Sequence, residues 1–409
     1  MSEAAPDPSG SGPGPGPAPA APDPPGPRLS AALAGHHVDG GWVFGVVAKR
    51  TYLISGGRCH PHPEQLPLVE EPLATDDGRV LEHDCDLVLQ RKQADIIVRG
   101  HAYPHGGRAS FEATIEVGAF VRRLGIFGDR RVSRGTDGRL QFSPPEGFEK
   151  MPLGWERAYG GVDEAAREDI GDPFQELMAE AGDPTDPTWG LFSYPRNPVG
   201  RGYLTEDTPA GVEQCRLPNV ELVEALLTPQ SLVRRDFMLW PSGPPVASTG
   251  WLHHSYFPRS VHFGHPPRVY HDGEIRPRDF LEVWAGWINP EALLLRAPAT
   301  HRLDPRAAQQ AALGMRCDRI DPDATIELTN LHPTARQWRF DLPDEVPRMA
   351  FKLPEAPAAN LRPAIRTLVI EPDLDRVVVV WAGETQVPLP VTPKKMDSLQ
   401  HGVIWPDPS

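Results

Sequence analysis

Two short segments concentrate the groups that could do chemistry. In Met151-Pro152-Leu153-Gly154-Trp155-Glu156-Arg157-Ala158-Tyr159-Gly160-Gly161 a carboxylate and a guanidinium stand side by side among aromatics and glycines. Asn197-Pro198-Val199-Gly200-Arg201-Gly202-Tyr203, preceded by Arg196, sets two guanidiniums among glycines and an aromatic. Glycine admits positive φ, so each segment reads as a tight loop that displays a rigid polar face. Glu156 is the candidate general acid or base. Glycoside-type hydrolysis wants two carboxylates facing one bond, and Glu156 has no partner identifiable from spacing. The plainer role has Glu156 and Arg157 hydrogen-bonding nearby backbone and locking the Gly160-Gly161 turn. Arg196 and Arg201 flank a loop that could cradle a carboxylate or phosphate, or could tie two loops together through backbone carbonyls. No glycine in the chain is followed by lysine, so the second loop is not a P-loop.

Other constellations are weaker. His60-Pro61-His62 and the set His253, His254, His262 and His265 approach ligand spacing, yet neither set has helical i, i+4 spacing or a paired cysteine. The sequence has neither a Gly-x-Ser-x-Gly elbow nor a His-Glu-x-x-His motif. Cys59, Cys85, Cys215 and Cys317 are scattered and read as reduced, buried thiols. We therefore expect no metal, no cofactor and no catalytic residue. Trp155, Glu156, Arg157, Tyr159, Gly160, Gly161, Arg196, Asn197, Gly200, Arg201 and Gly202 stand as binding or structural positions.

Charge and hydropathy narrow the partners. A formal net charge of -14 over 409 residues opposes nucleic-acid binding, which needs clustered Lys and Arg. No stretch approaches the roughly 20 apolar residues that span a bilayer, and the start lacks a basic, then apolar, leader. These features predict a cytoplasmic protein that engages neither nucleic acid nor membrane.

The elements that must position the loops are mostly strands. Trp42 to Ile54 is β-branched and aromatic up to Gly56-Gly57, and Asp95 to Ala102 has the same character. Phe111, Ala113, Ile115 and Val117 alternate with Glu112, Thr114 and Glu116, which together with Val121 to Phe127 predicts a hairpin from about Ser110 to Phe127. Later strands are predicted at Thr325–Leu328, Gln337–Phe340 and Met349–Leu353. A closing hairpin is predicted with arms Arg366–Ile370 and Arg376–Trp381 about Pro372-Asp373-Leu374-Asp375. The valine run of its second arm implies burial on both faces, hence a place inside a sheet. Short helices are predicted from Asp172-Pro173 to Gly182, from Asp304-Pro305 to Gly314, and from Asn219 to Leu227.

The fold class expected is mainly β, with antiparallel sheets, sandwich-like or barrel-like, at both ends of the chain, a loop-rich centre and a few short helices. Residues 1–28 form a Pro/Gly-rich tail too poor in large apolar groups to order. Residues 29–161 are the N-terminal β-rich part, 162–320 the loop-rich middle, and 321–409 the C-terminal β-rich part, packed with the first as one body. Between Asp163 and Asp186 nine residues are acidic and one, Arg167, is basic. That run reads as a solvated insertion or as a surface for a basic partner.

Several ordered motifs together resemble the bacterial domain of unknown function 2169 family. They are Asp86-Leu87-Val88 with Lys92 to Ala102, Phe127-Gly128-Asp129-Arg130, Pro152 to Gly161, Asn197 to Gly202, Leu217-Pro218-Asn219-Val220-Glu221 and Leu368 to Gly383. The resemblance spans about Trp42 to Glu384. It implies a non-enzymatic protein associated with type VI secretion. Such a protein would be an adaptor or chaperone that binds an effector, a PAAR-type spike-tip protein or the spike protein for loading. The contrasting reading is a hydrolase, carbohydrate-active or of another kind, using Glu156.

Overall fold

The two longest strands, Gly41–Ser55 and Arg376–Val387, grow from the β-branched and aromatic segments and pair with each other. The computed structural model describes residues 31–38, 41–169, 193–233, 243–259, 270–271, 274–275, 309–352, 358–387 and 399–406. Twelve strands form one large mixed sheet. They are β1 (Ala31–Val38), β2 (Gly41–Ser55), β3 (Arg58–Pro61), β4 (Ala94–Val98), β5 (Ser110–Val117), β6 (Phe120–Phe127), β7 (Val220–Leu222), β8 (Arg316–Cys317), β9 (Thr325–Thr329), β10 (Gln337–Asp341), β11 (Pro363–Glu371) and β12 (Arg376–Val387). Their order is β7-β6-β5-β9-β10-β3-β2-β12-β11-β4-β8, with β1 beside the first half of β2. Pairing is antiparallel except for β10 with β3 and β11 with β4.

The register explains the burial. β2 lies against β12 from Trp42↔Val387 to Leu53↔Arg376, so each supplies one flank of the other. Phe44, Val46, Ala48 and Tyr52 enter the main core with Val379 and Trp381. Val43, Val47, Val380 and Ala382 bury the opposite face under Leu68 and Leu89. The valine run is therefore interior on both faces, as its composition requires.

The fold is mainly β, but the two ends of the chain do not make separate sheets. β2 and β12 are neighbours, and the β5–β6 hairpin is joined to the later strands through Ile326↔Val117 and Leu328↔Ile115. The long ladder of β2 on β12 joins the N- and C-terminal strands in one sheet. A separate small sheet pairs Arg348–Lys352 with Ala359–Leu361 and Gln400–Ile404.

The described helices are short: Glu164–Asp169, Pro209–Gln214 and Pro229–Leu232. Thr208 and Thr228 cap the last two, and each places proline in the first turn. The segment from Asn219 to Leu227 is not a helix. Val220–Leu222 is β7, registered on Ile126–Leu124, and Val223–Ala225 is a 3-10 turn. Pairing with an exposed sheet edge outcompetes the helical spacing of its apolar residues. Within Asp304 to Gly314, the described residues 309–314 are also not helical. There the Gln310 and Ala311 N–H groups bind the Asp95 carboxylate, and the Ala312 N–H binds the Gly250 carbonyl. The helix expected from Asp172 to Gly182, like the tail of residues 1–28, lies outside the described residues.

All four cysteines are free, but Cys215 alone is buried and the other three are half-buried. Burial pushes the Cys59 and Cys215 thiols up to about 12, so both stay protonated at neutral pH. Among the described residues no helix is long and apolar enough to cross a membrane.

Candidate functional site

The two signature loops are joined by backbone. Met151-Pro152 pairs with His101-Ala102, a 3-10 turn follows at Trp155–Arg157, and Tyr159-Gly160 then runs parallel to Arg201-Gly202. The Arg201 N–H donates to the Ala158 carbonyl at 2.9 Å, Tyr203 to Gly160 at 2.9 Å, and Gly161 to Asn197 at 2.8 Å. Asn197 is wholly buried and its Nδ2 donates to the carbonyls of Trp155 at 2.8 Å and Tyr159 at 3.0 Å. A Cβ on Gly160, whose φ is 145°, would stand 2.1 Å from the Asn197 carbonyl oxygen. The glycine is required by contact as well as by conformation.

The aromatics divide between two clusters. Tyr159 and Tyr203 both pack on Tyr194, with ring centroids 5.0 and 5.5 Å away. Trp155 turns elsewhere: its Nε1 donates to the Trp251 carbonyl at 2.9 Å, and its ring meets Tyr256 edge-on at 5.3 Å. A single aromatic floor under both loops is therefore not formed.

Arg157 and Arg201 converge on a third segment. Nη1 of each donates to Asn219 Oδ1 at 3.2 Å and stands 3.6 and 3.5 Å, respectively, from Asp129 Oδ1. Asn219 Nδ2 in turn donates to Asp129 Oδ1 at 2.9 Å and to the Phe127 carbonyl at 3.1 Å. The arginines thus bridge side chains of the Phe127–Arg130 and Leu217–Glu221 motifs rather than backbone carbonyls. The Asn219 hydrogen bond, followed by the charges of Arg201 and Arg157, holds the Asp129 carboxyl below its ordinary range. Burial and then the neighbouring Arg157 charge push Arg201 down from its ordinary value. Beneath this surface Arg130 is buried, stacks on Phe127 with 3.9 Å to the ring centroid, and is ion-paired with Glu221.

The other expected positions are less central. Arg196 Nη1 donates to the Tyr194 hydroxyl at 3.3 Å, away from the Asn219 hub. Glu156 is exposed on the 3-10 turn. Asp163 is not on a solvated face: it is buried, and its carboxylate accepts from Thr205 N at 2.8 Å, Thr205 Oγ1 at 2.7 Å and Ala166 N at 3.1 Å. A half-open cleft of about 210 Å³ lies beside the joined loops, between Gly160–Ala165, Gly200–Leu204 and Gly211–Arg216.

Of the histidines with ligand-like spacing, His253 is buried and its Nδ1 accepts from Ser255 N at 3.1 Å, while His254 faces Asp84. His262 and His265 lie outside the described residues. Among the described residues no group of three or more His, Cys, Asp or Glu side chains is arranged to hold a metal ion.

Asn219 and Asp129 are the residues that the list of candidate positions missed. The signal is present in their motifs, but in sequence Asn219 reads as the start of a helix and Asp129 only as part of the Phe127–Arg130 motif. Asn197→Ala is expected to cost about 2 kcal/mol, because two buried carbonyls lose their donor. Arg157→Ala should cost about 1 kcal/mol, since its partner Asp129 is well exposed. Urea denaturation midpoints at constant m would measure both.

A family model described as "Uncharacterized protein conserved in bacteria (DUF2169)" matches residues 39–382. No curated protein and no solved structure matches the chain.

Proposed function

We propose that this chain, which belongs to that bacterial family, is a cytoplasmic adaptor or chaperone of type VI secretion that binds an effector or PAAR-type spike-tip protein before export. The observation that supports this reading most is the use made of the signature residues. Gly160, Gly161, Asn197 and Gly200 are consumed in joining two loops, and what the joined loops offer outward is a pair of half-buried guanidiniums anchored through Asn219. Rigid donors fixed on a backbone platform suit recognition of a protein surface, because little side-chain entropy is lost on docking.

Affinity purification of the tagged full-length protein from a secreting strain should recover a spike-tip or effector protein. Recovery of neither would sink the adaptor reading. In parallel, Glu156→Gln should not weaken capture. If the purified protein hydrolyses a glycoside and Glu156→Gln abolishes that turnover, the hydrolase reading takes its place.

A further inference from the structure

The charges around the Asn219 hub do not balance. Arg157 and Arg201 share Asp129, and Arg216 adds a third positive charge that acts on both Asp129 and Arg201. The backbone of Arg131 bridges that of Arg216 in antiparallel register, which sets two exposed like-charged residues directly opposite each other. Such pairs repel. Three arginines thus act on Asp129, with Arg131 opposite one of them, and Glu156 acts on Arg201, in a chain whose formal net charge is -14. A local positive surface on an acidic protein, held in place by a buried asparagine and repelling itself, is completed by an anionic partner.

We infer that the patch formed by Arg131, Arg157, Arg201 and Arg216 binds an acidic segment of the protein cargo. The inference rests on the adaptor reading and names the chemistry by which it recognises its partner. Guanidinium forks pair bidentately with separate carboxylates. Asp129 and Glu156, interspersed among the arginines, favour spaced carboxylates over the dense phosphates of a nucleic acid, which the net charge of the whole chain also opposes.

The test uses full-length protein and a fluorescent peptide alternating aspartate with serine, with the asparagine version of that peptide and a single-stranded oligonucleotide as competing probes. Anisotropy should show binding of the aspartate peptide that weakens as salt is raised. Arg131→Glu with Arg216→Glu, both at exposed positions, should weaken it by roughly a hundredfold, taking about tenfold for each reversed charge. Arg201→Lys should weaken it less than Arg201→Gln, whereas Arg319→Glu, an exposed charge reversal elsewhere, should change nothing.

Equal binding of the asparagine peptide, tighter binding of the oligonucleotide, or an unaffected Arg131→Glu/Arg216→Glu variant would overturn the inference. If that variant still captures a spike-tip or effector protein from the secreting strain as the wild type does, the patch is rejected and the adaptor reading survives. If the wild-type protein captures neither, the adaptor reading itself fails.

Discussion

Asp84→Ala is expected to destabilise the protein by about 3–5 kcal/mol, the loss that follows when a buried ion pair is left with one partner. Asp84 and Arg259 are 1% and 2% exposed, with Arg259 Nη1 2.5 Å from Asp84 Oδ2. The guanidinium also donates to the Leu252 carbonyl at 2.6 Å, and Asp84 Oδ1 accepts from the Cys85 N–H at 2.8 Å. The pair therefore ties the loop after Leu81 to the segment around Trp251. Once the carboxylate is gone, the buried Arg259 loses its nearest counter-charge. The double variant Asp84→Leu/Arg259→Met should recover much of the loss, because replacing both charges removes the desolvation cost along with the attraction. Urea midpoints would decide it. A single-variant loss below about 1 kcal/mol, or a double variant worse than the sum of the singles, would count against a buried charge cost.

Asp84–Arg259 belongs to a polar layer on the sheet that local patterns could not disclose. Lys49 Nζ meets Asp86 Oδ2 at 2.5 Å, and Asp95 lies between Arg91 at 3.0 Å and Arg316 at 3.5 Å, all largely or wholly buried. Lys49 sits in a strand whose alternation would allow a wet face, and its carboxylate comes from a distant loop. Composition records both charges but not their meeting. By contrast, the strands themselves were readable, because period-two alternation in β5 and the valine run of β12 are local consequences of how many faces are covered. Sheet order was not readable, since the pairing of β2 with β12 links nearly the two ends of the matched region.

The site was legible to the same degree and for the same reason. Gly160, Gly161 and Arg201 announce a constrained, charged loop within a few residues. Asn219, which organises both arginines, lies on a third segment and looked like the start of a helix. The apolar positions Val220, Val223 and Leu226 suit a helical face, but a free strand edge at β6 offered backbone partners that three-residue β7 accepts. Register between distant segments, not propensity, chose the structure.

Acidification should destabilise the fold in two successive steps, and the first can be assigned to His253. Burial, then the nearby charges of His254 and Arg259, push this imidazole down from 6.5 to about 4. Its Nδ1 already accepts the Ser255 N–H, so protonation there would break a hydrogen bond. In the unfolded chain the ring takes up a proton below pH 6.5, while in the folded chain it does not until about pH 4. The unfolded state therefore binds more protons across that window, and stability falls as pH falls, by about 3 kcal/mol in total. Burial alone would raise the Asp84 carboxyl, but the His254 hydrogen bond and the Arg259 charge outweigh it and hold it at about 2. Its contribution is present above about pH 4 and is lost between there and pH 2. His83, also pushed down by burial, adds to the first step with the same sign. His253→Asn keeps an acceptor where Nδ1 stood and removes the titration. Urea-derived stability should then fall by about 3 kcal/mol less in total between pH 7 and pH 4 than in the wild type. An unchanged slope would place the acid sensitivity in His83 or elsewhere and return His253 to a purely packing role.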